Sequence, residues 1–267
     1  MSHELQSFHH NPAAVALEHA HHVAFHAGLG GQLLAASNKF SASLIPSYAQ
    51  KVYQKGNLSV VATGAPQAEL EKWTSQFFAD VPAGNGLPAT QTKYFGGENR
   101  TYSAVGDAIV IAFPGSQGGA AAKAEFSVLA YLLGGEASTK WNAGTSIISQ
   151  AVANLAGVKA VARHAAYSDA GLLSITITGP QNTLAGAAQE IVKAINGLAN
   201  VKPEDIKKAI AQAKFDVLSK AEHRSADAEL VGQSVIASGQ APQVVEAVKA
   251  LDAVTANSIK SVSFYPP

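Results

Sequence analysis

The chain has 267 residues, 47% of them hydrophobic and only 14% charged, which suits a folded protein with a substantial core in one large or two modest domains. Nineteen basic residues balance nineteen acidic ones, so net charge offers no attraction to nucleic acid or to an anionic membrane surface. The absence of cysteine excludes disulfides, thiolate metal sites and a cysteine nucleophile.

The first part of the chain predicts helices around a single strand. Asn11 can cap free backbone N–H groups and Pro12 is favoured at the first helical position, so a helix is expected to begin there. A β-branched run bounded by Gly56 and Gly64 is typical of a buried strand, and the apolar residues after it recur at helical spacing. We predict a helix, a second helix, a strand and an amphipathic helix at residues 12–27, 43–55, 57–64 and 66–81.

Residues 82–93 interrupt this pattern with prolines, glycines and small polar residues, and an interdomain linker is predicted at 83–91. The part after the linker predicts three strands with helices grouped mostly behind them, which is typical of an α+β fold. The strands are predicted at 107–113, 158–167 and 170–178, and the helices at 120–133, 144–156, 182–198, 203–221, 226–238 and 242–250. Pro266 and Pro267 would stop any strand that begins within 261–265.

Motifs for familiar chemistry are incomplete in this sequence. "GGEASTKW" has no glycine just before its lysine and "GLGGQL" lacks the G-x-G-x-x-G spacing, so neither predicts a nucleotide site. "PGSQG" resembles the nucleophile elbow G-x-S-x-G, but Pro114 replaces the first glycine and no convincing Ser-His-Asp set accompanies it. "YSDAG" predicts a tight turn between two strands, with Asp169 and Gly171 as turn residues. We therefore predict no catalytic and no cofactor-binding residue.

The stretch "LEHAHHVAFH" places four histidines on one predicted helix. At about 100° per residue, His19, His22 and His26 share a stripe, whereas His21 points elsewhere. "HVAFH" has the spacing of the inverted zinc-peptidase motif H-x-x-E-H, but Phe25 stands where the glutamate general base would be. We predict no functional metal site, although the stripe of His19, His22 and His26 could capture a stray metal ion.

Four blocks of sequence resemble members of the mitochondrial processing peptidase family, which is pitrilysin-like. In chain order they are "NPAAVALEHAHHVAFHAGLGGQLL", "KYFGGENR", "FSVLAYLLGGEASTKW" and "AYSDAGLLSITITGPQ", and the resemblance extends from about Glu4 to about Lys260. It implies two related α+β modules joined by a linker. On this resemblance we expect the later part of a first module at 1–82, and a second module at 92–267 that lacks its last strand; the family's zinc motif would precede Met1.

The resemblance is to non-catalytic members of the family that serve as core subunits of mitochondrial ubiquinol-cytochrome c reductase. It implies a structural subunit without a cofactor that pairs with core protein 1 and supports assembly of the complex. It also implies a peripheral location on the matrix side of the inner membrane.

Two other functions remain open at this point. One is the non-catalytic, presequence-binding subunit of the processing peptidase, and the other is an active zinc endopeptidase. The second lacks H-x-x-E-H anywhere in the chain, so the step that activates water has no general base. The start "MSHELQSFHH" has the pattern of neither a secretory signal nor a transit peptide, so we expect neither in this chain.

Overall fold

The computed structural model describes residues 2–34, 41–85, 90–119, 122–134, 144–241 and 244–262. The chain divides into two compact units, one built from residues 1–34, 92–217 and 245–267 and the other from residues 35–91 and 218–244. The described helices and strands in chain order are α1 (Ser2–His9), α2 (Pro12–Phe25), α3 (Leu44–Val52), α4 (Gln67–Phe77), β1 (Ala108–Pro114), α5 (Ala124–Leu133), α6 (Ile147–Ala151), β2 (Lys159–Ala166), β3 (Gly171–Thr178), α7 (Gln181–Asn196), α8 (Pro203–Glu222), α9 (Arg224–Ser238), α10 (Val244–Asp252) and α11 (Ala256–Val262).

The first unit is organised around an antiparallel sheet of order β1-β3-β2. Because side chains alternate along a strand, Leu173, Ile175 and Ile177 of the central strand face one side and Leu172 faces the other. All four side chains are fully buried. The central strand therefore has helices on both of its faces, which explains its nearly continuous apolar sequence.

The larger core lies on the face of Leu173, Ile175 and Ile177, where α5, α6 and α7 pack on the sheet. On the opposite face, α2 contacts β1 and β3, and its Ala24 and Phe25 pack against Leu172. Helix α2 begins as predicted, because the side chain of Asn11 accepts a hydrogen bond from the Ala14 backbone N–H at 3.1 Å. The fold is thus mixed α and β, and the predicted α+β class is confirmed.

The second unit contains α3, α4 and α9, and none of the described hydrophobic side chains that are buried belongs to it. Helices α3 and α4 have no buried residue at all. Backbone hydrogen bonds from Lys55 N–H to the Pro82 carbonyl (2.9 Å) and from Gly56 N–H to the Gly84 carbonyl (2.7 Å) join two segments of the unit.

The strand predicted at 57–64 is wrong. Asn57 ends a 3₁₀ turn that begins at Lys55, and residues 58–62 pair with no neighbouring strand among the described residues. A β-branched run becomes a strand only when a second strand supplies its hydrogen bonds. Ser261 and Val262, where the sequence left a short strand open, belong to α11, and residues 263–267 lie outside the described residues.

Several helix ends differ from their predicted positions. Helix α2 ends at Phe25 because the backbone of His26 takes a positive φ of 58° and that of Gly28 a φ of 63°. Helix α6 covers only the middle of the predicted 144–156, since the chain turns before Gly157, whose φ is 75°. The sequence patterns missed α1 and α11, and parts of the predicted linker and of the helices starting at 120 and 242 fall outside the described residues.

Candidate functional site

The three histidines of the stripe, His19, His22 and His26, each contact residues outside the stripe. His19 Nδ1 lies 3.2 Å from both the side-chain amide nitrogen of Asn99 and the hydroxyl of Thr101. His22 Nδ1 donates to the Gly30 carbonyl at 3.0 Å, and the His26 ring packs edge-on against Phe95 with centroids 4.6 Å apart. Each of the three rings thus has a different contact outside the stripe, and the His22 and His26 rings also lie edge-on to each other with centroids 6.2 Å apart.

No group of three or more His, Asp or Glu side chains among the described residues lies close enough together to hold a metal ion. Glu18, the carboxylate nearest the stripe in sequence, accepts a hydrogen bond from the backbone N–H of Leu33 at 2.8 Å. The stray-metal hypothesis for His19, His22 and His26 stays a prediction. Each ring retains a nitrogen for which no partner is described, and any ion there would have imidazole ligands alone.

Phe25, the residue at the position of the missing general base, is a core residue. It is 2% exposed and packs with Ala24 and Leu172, and its ring lies edge-on to that of Tyr94 at 6.1 Å between centroids. A carboxylate at this position would be buried among apolar groups without a cation, which is strongly unfavourable. The segment "HVAFH", which resembles a peptidase motif, therefore forms the contact between α2 and the sheet.

His21, which the stripe excludes, makes the most specific polar contact of the helix. Its Nδ1 donates to the Leu17 carbonyl at 2.8 Å, since a carbonyl can only accept. In the neutral ring, Nε2 therefore accepts a hydrogen bond from the Tyr167 hydroxyl at 2.6 Å. Burial raises the pKa of Tyr167, so this hydroxyl keeps its proton as the donor.

The sequence could have indicated this role for His21. His21 and Phe25 are four residues apart, which places them one turn apart on the same face of the helix, and their ring centroids are 6.2 Å apart. Because a phenylalanine predicts the buried face, the histidine one turn earlier is expected to point toward the sheet as well.

The turn that follows β2 is confirmed and has a second function. The N–H of Tyr167 donates to the Ala170 carbonyl at 2.8 Å, which closes a tight turn with Ser168 and Asp169 at its tip. The Asp169 carboxylate also accepts a hydrogen bond from the backbone N–H of Thr92 at 2.7 Å. The bond from Tyr167 to His21 fixes the turn against α2, and the bond from Thr92 to Asp169 fixes it against the segment that begins at Thr92.

Gly171 allows the turn to approach the loop after β1. A β-carbon at this position would lie 2.0 Å from the Ser116 carbonyl oxygen, a distance that no side chain can occupy. The Gly115 N–H donates to the Gly171 carbonyl at 2.8 Å across the same gap. The prediction of Gly171 as a turn residue is wrong, because Gly171 is the first residue of β3 and pairs with Ala166; its close approach to Ser116 is what requires glycine.

The "PGSQG" loop does not form a nucleophile elbow. Buried Ser116 accepts a hydrogen bond from the Lys123 N–H through its hydroxyl at 3.2 Å, while His164 Nε2 donates to the Ser116 carbonyl at 3.1 Å. The His164 ring also stacks on Phe126 with centroids 5.3 Å apart. Burial lowers the pKa of His164, and the bond to the Ser116 carbonyl opposes this shift without cancelling it. The histidine therefore stabilises the loop backbone instead of activating the serine.

Similarity to known proteins is consistent with this non-catalytic geometry. A family profile described as the "Peptidase M16 inactive domain" matches residues 39–213, well over half of the chain. The cytochrome b-c1 complex subunit 2 of Neurospora crassa is 43% identical over 94% of this chain and 57% of its own length. The mitochondrial-processing peptidase subunit alpha-2 of Dictyostelium discoideum is 24% identical over 97% of this chain and 60% of its own.

A solved structure has the same fold. A chain of complex III2 from Candida albicans, with Inz-5 bound, superimposes with a TM-score of 0.79 over 97% of this chain and 65% of its own, at 16% identity. The chain thus spans a little under two thirds of the length of each of these proteins. It belongs to the peptidase M16 family, and its matched part is the family's inactive, non-catalytic domain.

Proposed function

We propose that the chain acts as a non-catalytic core subunit of the mitochondrial cytochrome b-c1 complex, ubiquinol-cytochrome c reductase, in the position of core protein 2. The observation that carries this proposal is the 43% identity to the Neurospora crassa subunit 2 across 94% of the chain. The matched inactive domain and the use of Phe25 and His164 as structural residues support a role that needs no catalytic group.

The proposal includes partners and location. Core protein 1 and other subunits of the complex would be its binding partners, and it would lie peripherally on the matrix side of the inner membrane. No described helix is long and apolar enough to cross a membrane. The division into modules at 1–82 and 92–267 is part of the same proposal.

Co-purification tests the assignment. A tagged chain expressed in fungal mitochondria is expected to recover core protein 1 and the other reductase subunits after mild detergent extraction. Recovery of a matrix peptidase partner without reductase subunits would contradict the proposal. The purified chain is also expected to cleave no presequence peptide in the presence of added zinc, because it has no general base at the Phe25 position.

The presequence-binding subunit of the processing peptidase is the second candidate, favoured by the match to the Dictyostelium alpha-2 subunit. The two candidates differ in what the chain binds when it is alone. A basic amphipathic presequence peptide that binds this chain with a dissociation constant of about 1 μM, measured by calorimetry, would favour the peptidase subunit. Absence of binding, together with recovery of reductase subunits, favours the core subunit.

A further inference from the structure

Residues 92–106 form a strap that lies antiparallel along α2. The strap contains no helix and no paired strand, and it begins directly after the predicted linker. A β-carbon placed on Gly28, just after the end of α2, would lie 3.7 Å from the Thr92 hydroxyl oxygen. At the other end of the strap, a β-carbon on Gly106 would lie 3.1 Å from the Pro12 ring. The strap therefore runs from the end of the helix back to its start.

Few hydrogen bonds tie the strap to its surroundings. The Thr92 N–H donates to the turn after β2, and the Phe95 N–H donates to the Ala24 carbonyl at 2.7 Å. Farther along, two polar side chains of the strap reach the ring of His19. Between residues 96 and 101, no backbone group has a hydrogen bond to another described residue. A segment held at so few points is expected to open locally at a low free energy.

His26 lies in a strained turn beside Phe95. Its φ of 58° and ψ of −59° are close to those of the rare, strained kind of γ-turn, and the Ala27 N–H donates to the Phe25 carbonyl at 2.6 Å across this turn. A residue with a side chain has a steric cost in this region of backbone angles, whereas glycine does not. Such a conformation persists only where neighbouring contacts hold the residue in place.

The His26 ring supplies such a contact. It packs edge-on against Phe95, with centroids 4.6 Å apart, at the point where the strap bonds to the backbone of α2. The Lys93 ammonium lies over the same phenyl ring, 5.4 Å from its centroid. Phe95 is 53% exposed and belongs to neither cluster of buried side chains. The contact with His26 is therefore expected to hold the Phe95 side chain in place.

We propose that His26 is a strained latch, whose ring holds the strap closed on α2 through Phe95. The backbone strain favours opening and the ring contact favours closure, so the two effects oppose each other at one residue. When the contact is lost, the turn relaxes to ordinary backbone angles and the strap opens as one unit from Thr92 onward. An open strap uncovers the buried cluster of Phe25, against which Tyr94 packs. The latch thereby determines where the chain that follows the predicted linker is joined to the sheet.

The test uses the full chain and does not depend on the reductase assignment. Hydrogen exchange gives the protection factors of the amides at residues 92 and 95, and the three-bond coupling between the amide and α protons of His26 reports its φ. Phe95→Ala is expected to lower both protection factors about fivefold, and to change the His26 coupling to that of an ordinary negative φ. Tyr102→Ala is the matched control, because Tyr102 lies on the same strap and is 90% exposed, and it is expected to change neither quantity.

A second variant separates the latch from a simple loss of packing. His26→Gly removes the ring and the strain together, so it is expected to lower both protection factors as Phe95→Ala does, and the double variant is expected to lower them no further. Effects of the two single variants that multiply in the double variant would overturn the proposal. An unchanged His26 coupling in Phe95→Ala would also overturn it, and so would faster exchange at residue 95 with the Thr92 amide unchanged.

Discussion

At the residue scale, two histidines that lie outside the stripe have structural roles. His21 and His164 each direct a ring nitrogen to a defined partner, the Tyr167 hydroxyl and the Ser116 carbonyl. The sequence alone drew attention to His19, His22 and His26, because their close spacing can be seen without a structure. Burial, which distinguishes a structural histidine from an exposed one, depends on contacts that are distant in sequence, so the role of His164 could not be read from spacing. The spacing of His21 to Phe25 indicates that the ring faces the sheet, but it does not identify Tyr167 as the partner.

The bond between His21 and Tyr167 is expected to contribute to stability. Tyr167→Phe should lower the free energy of unfolding by about 1 kcal/mol, because it removes one partly buried hydrogen bond while retaining the ring. Urea denaturation of Tyr167→Phe, His21→Ala and the double variant gives the coupling energy. Tyr102→Phe is the control, since Tyr102 is 90% exposed and its loss of a hydroxyl should have no measurable effect. Additive effects of the two single variants would show that the bond contributes nothing.

His164 predicts a dependence of stability on pH. Burial lowers its pKa from an ordinary value of 6.5, so at mildly acidic pH the unfolded chain binds a proton that the folded chain does not. Keeping the His164 ring neutral therefore costs the folded chain nothing above pH 6.5. The free energy of unfolding decreases as the pH falls from 6.5 toward the lower pKa of His164 in the folded chain. Urea denaturation between about pH 7.5 and about pH 5.5 should show a steeper loss for the wild type than for His164→Gln. Parallel pH profiles would exclude this role for His164.

At the element scale, the three described strands and most helices of the first unit agree with their sequence patterns. The central strand was predicted because "AGLLSITIT" has strong β propensity and polar or glycine boundaries, and it lies at Gly171–Thr178. The predicted strand at 57–64 had equally good propensity and failed. Propensity reports that a segment fits a sheet, but a strand requires a partner, and the letters of one segment do not contain that information.

Truncation within the central strand should be severely destabilising. Ile175→Ala removes a fully buried side chain from the sheet face covered by α5 and α7, and a loss of about 2–5 kcal/mol is expected from the transfer and cavity terms. Ile236→Ala provides the same chemical change at a position that is 71% exposed, where less than about 0.5 kcal/mol is expected. Chemical denaturation measures both. Similar losses for the two variants would contradict the assignment of the core.

At the scale of the whole molecule, the two units differ in how much apolar surface they bury. The first contains every buried hydrophobic side chain among the described residues, whereas the described part of the second contains none. The sequence could not reveal this difference, because α4 has the amphipathic pattern of a packed helix. Its apolar stripe of Leu70, Trp73 and Phe77 indicates that burial is needed, but not which surface provides it.

Hydrogen exchange should reflect this difference. Amides of α3 and α4 in the isolated chain are expected to exchange much faster than those of β3, since local opening there breaks few apolar contacts. Helices α3 and α4 should therefore be less protected than the helices that pack on the sheet, such as α5 and α7. Mass spectrometry of exchanged peptides measures this directly, and uniform protection across both units would contradict the prediction.

The burial of the central strand on two faces also determines the order in which the chain can complete its fold. Leu172 is covered by Ala24 and Phe25, which lie about 150 residues earlier in the sequence. The other face is covered by α5 and α6, which lie between β1 and β2 in sequence, and by α7, which follows β3. During synthesis, α2 leaves the ribosome long before β3 is made. The apolar face of α2 therefore stays uncovered until the sheet forms. Such non-local contacts slow folding and leave apolar surface exposed until the sheet has formed.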